Sequence, residues 1–505
     1  MAERGKKIVV GFVLRYIYLI LNLALAFFMM PFILHHLGDR MYGLWVLLGS
    51  FTGFMGYLDF GLSQTVSRFV ARAVGRKEPL AINQIANTSL IMYLGLSVIV
   101  LIVTVLLMIG ASFFTDTPED LHIVRVLFLC IGTNLLMSFP ARAFSGIISA
   151  HLQYQISEMI MIAELVIRYL LIFVFFQLGY GIIALGVIVC VLGICASVAY
   201  FIFSFKVDSN LIVNPGKHFK SSLVRELLSY SFYAFVRRIT GLLINRTDSF
   251  IVSGFLGLAV NAHYAIPVVL NAHLSNFLSR VVQLIDPVFS HDDGKGDQMG
   301  IEQKLFISTK IMAFVVVFCC SMFIMYGEQF ITCWVGESYT DAYPVLVVLA
   351  LVTVISILLE PAGSMLFNTS HHKFLALAGT IEGVINLVLS LILVHYLGML
   401  GVALGTLLPI LFVRLILQPV YIAKCTKISI RKFVIDVVAW NIAKSLLSTV
   451  PVYLFIKSLA TAQYSSLFLV GLIHLFIFAA IIWMVGFERQ EKEYLLGFVR
   501  KKIKV

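Results

Sequence analysis

VVGFVLRYIYLILNLALAFFMMPFIL, residues 9–34, decides the class of this chain. Only Arg15 and Asn22 interrupt it, so the run is apolar on every face, where a helix at a water boundary would keep a polar side. It exceeds the ~20 residues that a helix needs to cross a bilayer. A membrane strand would alternate apolar and polar residues. A run apolar throughout reads as a helix, which pairs its own backbone groups where no water can. The preceding Met1–Lys7 is basic, and no small-residue cleavage site follows the run, so it reads as a retained first helix rather than a removed signal peptide.

Working outward, similar runs recur to Val485, and the chain of 505 residues is 60% apolar and 12% charged. A soluble domain has about 45–50% and about 25%. Hydropathy places spans near 9–35, 43–69, 82–111, 121–148, 156–177, 181–205, 223–254, 258–288, 303–326, 342–367, 374–395, 401–423, 433–456 and 465–486. The predicted fold class is all-α integral membrane, with about 14 transmembrane helices. The net charge of +11 then needs a location before it has a meaning. Counting the connections, 23 lysines and arginines fall on the side of the termini, among them Arg72, Arg76 and Lys501, and only Arg40 and Lys457 fall opposite. Cytoplasmic loops carry that excess, so both termini are expected in the cytoplasm. The seven cysteines contain no C-x-x-C pair, and neither a disulfide framework nor a zinc site is indicated.

The chain also repeats itself. Leu37-Gly38 matches Leu256-Gly257, Leu178-Gly179 matches Leu397-Gly398, and Ala184-Leu185-Gly186 matches Ala403-Leu404-Gly405, all at an offset of 219 residues. A unit of six spans repeats in the same orientation. The expected organisation is a first six-helix lobe at 1–207, a linker at 208–222, a second six-helix lobe at 223–424, two accessory helices at 425–486 and a basic tail at 487–505.

Leu37-Gly38-Asp39-Arg40-Met41-Tyr42-Gly43-Leu44-Trp45, then Gly56-Tyr57-Leu58-Asp59-Phe60-Gly61-Leu62, Arg68 and Gly75, resemble the opening pattern of a known family. It is that of the oligosaccharide flippases, or polysaccharide transporters, within the superfamily of multidrug and toxic-compound extruders and lipid II flippases. Arg246-Thr247-Asp248 through Gly254-Phe255-Leu256-Gly257 to Tyr264 is similar to that pattern more loosely. The resemblance implies two lobes that rock to open a central cavity alternately to each side of the membrane.

Ionisable residues inside spans cost at least about 2.5–3.5 kcal/mol and usually face the bundle interior or water. The candidates for substrate binding are Arg15, Asp59, Arg68, Arg142, Arg237, Arg238, Arg246, Asp248 and Arg280, and those for ion coupling are Asp286, Glu360 and Glu382. Arginine dominates, and its planar fork of donors suits a diphosphate or an acidic sugar. Each has a structural alternative. Arg68 can snorkel to headgroups, Glu164 and Arg168 can neutralise each other at i,i+4, and Asp59 can hydrogen-bond to a neighbouring helix. Glu360 precedes Pro361, where a kink frees carbonyls.

Other apparent motifs carry nothing. Asp59-Phe60-Gly61 lacks the other kinase elements, and Asn87-Thr88-Ser89 and Asn245-Arg246-Thr247 sit within spans, where no glycan resides. His371-His372 reads as a solvated pair. No phosphate-binding G-x-x-x-x-G-K-[ST] loop occurs, so energy would come from a gradient or the membrane potential. No cofactor is expected.

The reading is a non-enzymatic flippase for an oligosaccharide (an O-antigen, capsule or exopolysaccharide repeat unit) on a polyprenyl carrier such as undecaprenyl diphosphate. It would act in a bacterial inner membrane, with membrane lipids, and a polysaccharide polymerase and glycosyltransferases of the same pathway, as partners, and no nucleic acid. The rivals are a drug or cation extruder of the same superfamily, a lipid II flippase, and a membrane polymerase or glycosyltransferase. The last would carry a larger polar loop than the seventeen or so residues from Met325 to Asp341.

Overall fold

The computed structural model describes residues 2–115, 117–231, 247–283, 298–369, 371–425, 428–489 and 491–492. These residues are helices and short turns, and ten stretches are long and apolar enough to cross a membrane. Two are long enough for more than one crossing: Val9–Arg76 has 68 residues and Lys373–Cys425 has 53. The protein is an all-α, multi-pass membrane protein. Contacts divide it into two units, Met1–Ala262 and His263–Val505.

In the first unit, α1 (Ala2–Gly56) breaks at Gly38, whose φ of 69° and ψ of 169° few residues but glycine adopt. A 3-10 turn at Tyr57–Asp59 leads through Phe60 and Gly61, both left-handed, to α2 (Leu62–Arg76). The second expected span, 43–69, is therefore not one unbroken helix, and Asp59 lies in its break. Next come α3 (Pro79–Ile109), α4 (Pro118–Ala150), α5 (Tyr154–Gln177) and α6 (Ile182–Val207). Proline opens α3 and α4, where its missing N–H would have had no helical partner anyway. The central helix α4 packs on α6, α3 and α2. Leu48, Val66, Tyr93, Leu127, Phe139 and Ile147 form a core there, closed to solvent.

The stretch 208–222 runs along α3 and does not hang free. Asn83 donates to the Asn210 carbonyl (3.0 Å) and accepts from the Ile212 N–H (2.9 Å), and Asn87 donates to the Ile212 carbonyl (2.7 Å). The Lys220 N–H donates to Thr88 Oγ1 (3.1 Å). Asn87-Thr88-Ser89 thus has a structural use, with its polar groups replacing the ladder partners that an irregular segment lacks. Within this segment lies the single turn α7 (Pro215–His218). Residues 221–231 are helical, and α8 (Asp248–Leu256) ends at Gly257 with φ 94° and ψ 167°. Those angles nearly repeat those of Gly38, 219 residues earlier.

The division between the units falls within α9 (Leu258–Gln283). The second unit continues with α10 (Gln298–Trp334), α11 (Tyr343–Leu358), α12 (Glu360–Asn368) and α13 (His372–Phe412). The expected tenth span, 342–367, is broken at Leu359, just before Pro361, and the Leu359 carbonyl accepts from the Gly363 N–H (3.1 Å) and from Gln418 Nε2 (3.3 Å). α13 breaks at Gly398 (φ 57°, ψ −138°), and Gly179, 219 residues before it, also has positive φ, 85°. A π-helical turn, Val413–Leu417, joins α13 to α14 (Gln418–Cys425). Then come α15 (Trp440–Ile456) and α16 (Tyr464–Ile481), both packed on α10.

Candidate functional site

The break after α1 sets Asp59 at the centre of a buried polar cluster. Phe60 and Gly61 turn the chain left-handed, and Asp59 is 1% exposed. The Tyr93 hydroxyl of α3, itself closed to solvent, donates to Asp59 Oδ1 at 2.7 Å. Arg142 of α4 brings Nη1 to 3.7 Å from the same oxygen and donates to the Gly56 carbonyl, at the end of α1, at 3.2 Å. Its guanidinium also lies over the Phe139 ring, 4.5 Å from the centroid. Asp59 and Arg142 thus meet as an ion pair across helices. Tyr93 was absent from the sequence candidates, because a tyrosine in an apolar span carries no charge to mark it.

Beside this cluster, α2 and α4 line an open cavity of about 390 Å³. Ser63, Gln64, Ser67, Arg68 and Ala71 line one wall; Ser145, Gly146, Ser149, Ala150 and Leu152 line the other, and Tyr154 stands at the edge. The Arg68 guanidinium stands 4.6 Å from the centre of the Tyr230 ring, which fixes its plane. Gly146 permits the close approach of the two walls: a Cβ there would come within 3.1 Å of Val66 Cγ1. This cavity has the size of a small-ligand pocket, ~300–1,000 Å³.

The remaining candidates separate. Arg15 is exposed on α1 within electrostatic reach of Glu158, and Glu164 pairs with Arg168 along α5. Asp248 opens α8, where the positive end of the helix dipole favours a carboxylate. In the second unit, Glu360 accepts from Ser279 Oγ at 3.1 Å, next in sequence to the exposed Arg280. Glu382, 3% exposed, accepts from Arg414 Nε at 3.3 Å. Arg414 is a partner that the sequence reading missed, although a lone arginine in the apolar run VALGTLLPILFVRLILQPVY (402–421) was the available signal. It sits in the π-turn after Pro409, a local rewinding common at functional positions. Arg237, Arg238, Arg246 and Asp286 lie outside the described residues.

The opening pattern of the chain now has physical reasons. Arg40 pairs with Asp120 (2.7 Å), and a Cβ on Gly43 would lie 1.7 Å from the Leu258 carbonyl oxygen, so only glycine fits. Asn261 Nδ2 donates to the Gly43 carbonyl (3.0 Å).

The fold is that of a polytopic helical membrane protein, and solved transporters share it. A lipid II flippase, MurJ, in an inward closed conformation superposes with a TM-score of 0.68, at 15% identity over 94% of this chain and 99% of that one. An inward-facing multidrug resistance transporter of the MATE family, in the MOP superfamily, gives 0.64 at 16% identity, over 81% and 99%. Among curated proteins, the uncharacterized membrane protein EpsK of Bacillus subtilis is 23% identical over 95% of this chain and 96% of its own. The profile of the polysaccharide biosynthesis protein family matches residues 11–291, more than half of the sequence, and the chain belongs to that family.

Proposed function

We propose that this membrane transporter is a flippase for a polyprenyl-diphosphate-linked oligosaccharide, carrying it from the cytoplasmic to the outer leaflet of a bacterial inner membrane by alternating access. The observation that carries the reading is membership of the polysaccharide biosynthesis family by a chain built almost wholly of membrane-spanning helices. The fold it shares with a lipid II flippase and a drug transporter supports the two-lobed mechanism, with 1–207 and 223–424 as the lobes and both termini cytoplasmic. Chemistry favours the lipid-linked anion over an organic cation. Among the described residues Arg68 lines the cavity of the first unit, and no carboxylate does. Arg237, Arg238 and Arg246 add cations to the next stretch of sequence. A cavity for organic cations would present the opposite sign.

Purified protein in proteoliposomes is expected to move a polyprenyl-diphosphate oligosaccharide across the bilayer, read as its appearance to an impermeant lectin. Movement of a small organic cation in place of the lipid would replace this reading with that of an extruder.

A further inference from the structure

The cavity between α2 and α4 has a chemistry more specific than positive charge. Among the described residues its polar lining is four serine hydroxyls, one carboxamide, one guanidinium and the Tyr154 phenol. Ser145 Oγ donates to the Arg142 carbonyl (3.1 Å), which leaves its lone pairs to accept. The side chains of Gln64, Ser67 and Ser149 find no hydrogen-bond partner among the described residues, and all three are partly or wholly exposed at the cavity surface. Hydroxyls that both donate and accept, set around a space with a tyrosine at its edge, complement a ring that itself bears hydroxyls. They are a poor match for a bare phosphate, which only accepts.

The count of charges points the same way. A diphosphate diester brings two negative charges and needs cations or several N–H donors against each. Among the described residues this lining supplies one cation, Arg68, held in plane by Tyr230. Arg72 and Arg76, further along α2, are exposed and are not part of the lining. The volume of about 390 Å³ lies at the small end of ligand pockets and suits one ring rather than a whole repeat unit.

We propose that the α2–α4 cavity is a saccharide subsite for a single sugar residue bearing one carboxylate, a hexuronate, with Arg68 forking the carboxylate and Gln64, Ser67, Ser145 and Ser149 exchanging hydrogen bonds with the ring hydroxyls. This deepens the flippase reading and rests on it for the origin of the sugar. The subsite reads the oligosaccharide, and the diphosphate is held elsewhere.

The test is ligand-observed NMR on the full chain in detergent micelles, with D-glucuronate, methyl glucoside and inorganic pyrophosphate as probes. Wild type is expected to bind glucuronate at least about tenfold more tightly than methyl glucoside, and pyrophosphate is expected not to displace it. Arg68→Gln removes that preference and leaves the two sugars equal. Ala71→Trp, a substitution at an exposed wall position, fills the cavity and abolishes binding of both; an unchanged size-exclusion profile shows that the fold survives. Displacement by equimolar pyrophosphate would make the cavity a phosphate site and overturn the proposal, as would glucuronate binding that survives Ala71→Trp, or none in wild type at millimolar concentration. Lipid movement in proteoliposomes is scored separately. Its absence would remove the flippase reading, while a glucuronate preference lost in Arg68→Gln and binding lost in Ala71→Trp would leave the subsite standing.

Discussion

In the first unit a carboxylate from the break between α1 and α2 meets an arginine of α4; in the second, the equivalent crossing carries a carboxylate where that arginine would be. Asp59 and Arg142 correspond, 219 residues on, to Leu278 and Pro361. Their immediate neighbours Ser279 and Glu360 are the pair that hydrogen-bonds. The second carboxylate of each unit differs too. Glu164 pairs with Arg168 on its own helix, whereas Glu382, near the equivalent position, reaches Arg414 beyond the bend of α13. The backbone has kept the repeat and the charges have not. Gly38 with Gly257, and Gly179 with Gly398, break their helices at positive φ, because a Cβ opposes those angles whatever the side chains nearby. A charge is constrained only by having a partner, and different partners can satisfy it.

The two units can be pulled apart experimentally, beginning with Glu382, which among the described residues is served by Arg414 alone. Arg414→Ala strands Glu382 in the interior, and a loss of about 3–5 kcal/mol is expected, read as a large fall in the thermal midpoint in detergent. The double variant Glu382→Gln/Arg414→Gln should recover most of it, and failure to recover would show that Arg414 acts through packing instead. Arg142→Ala is expected to cost about 2–3 kcal/mol. The two arginines are about equally exposed, and the smaller loss is expected because Tyr93 still serves Asp59. Equal losses at Arg142 and Arg414 would erase the contrast between the units.

Alanine at Gly38 and at Gly257 should each cost about 1–3 kcal/mol, and similar midpoint shifts would show that the two breaks bear the same strain. A shift at one alone would break the backbone equivalence. Arg168→Gln should change stability by only about 0.3–0.5 kcal/mol, since the pair it opens is a local, partly exposed one. A larger change would mean that Arg168 has a partner beyond Glu164.

Much of the fold was legible because its determinants are local. The positions of the helix breaks at Gly38, Gly179, Gly257 and Gly398 followed from matching short glycine motifs, and the structure gives all four positive φ. The Glu164–Arg168 pair followed from helical spacing alone. The site was legible in part. Asp59, Arg68 and Arg142 stood out as charges in apolar runs, but their neighbours did not. Tyr93, Asn83 and Asn87 blend into α3, and the hydroxyls of the cavity are scattered over α2 and α4. A helix apolar on all sides has no stripe to announce which face meets which neighbour.

The sequence by itself determined that the chain lives in a bilayer, roughly how often it crosses, and which glycine turns recur at one repeat offset. Transfer into hydrocarbon is close to a sum over residues, and positive φ is a property of one residue. Only the tertiary structure decided that Arg142 answers Asp59, that Arg414 answers Glu382, and that four serines share one cavity with Arg68. Those contacts join residues 83 and 32 positions apart, or on separate helices. Which of them form depends on how helix faces pack, and packing is a property of pairs of surfaces that no single stretch of sequence contains.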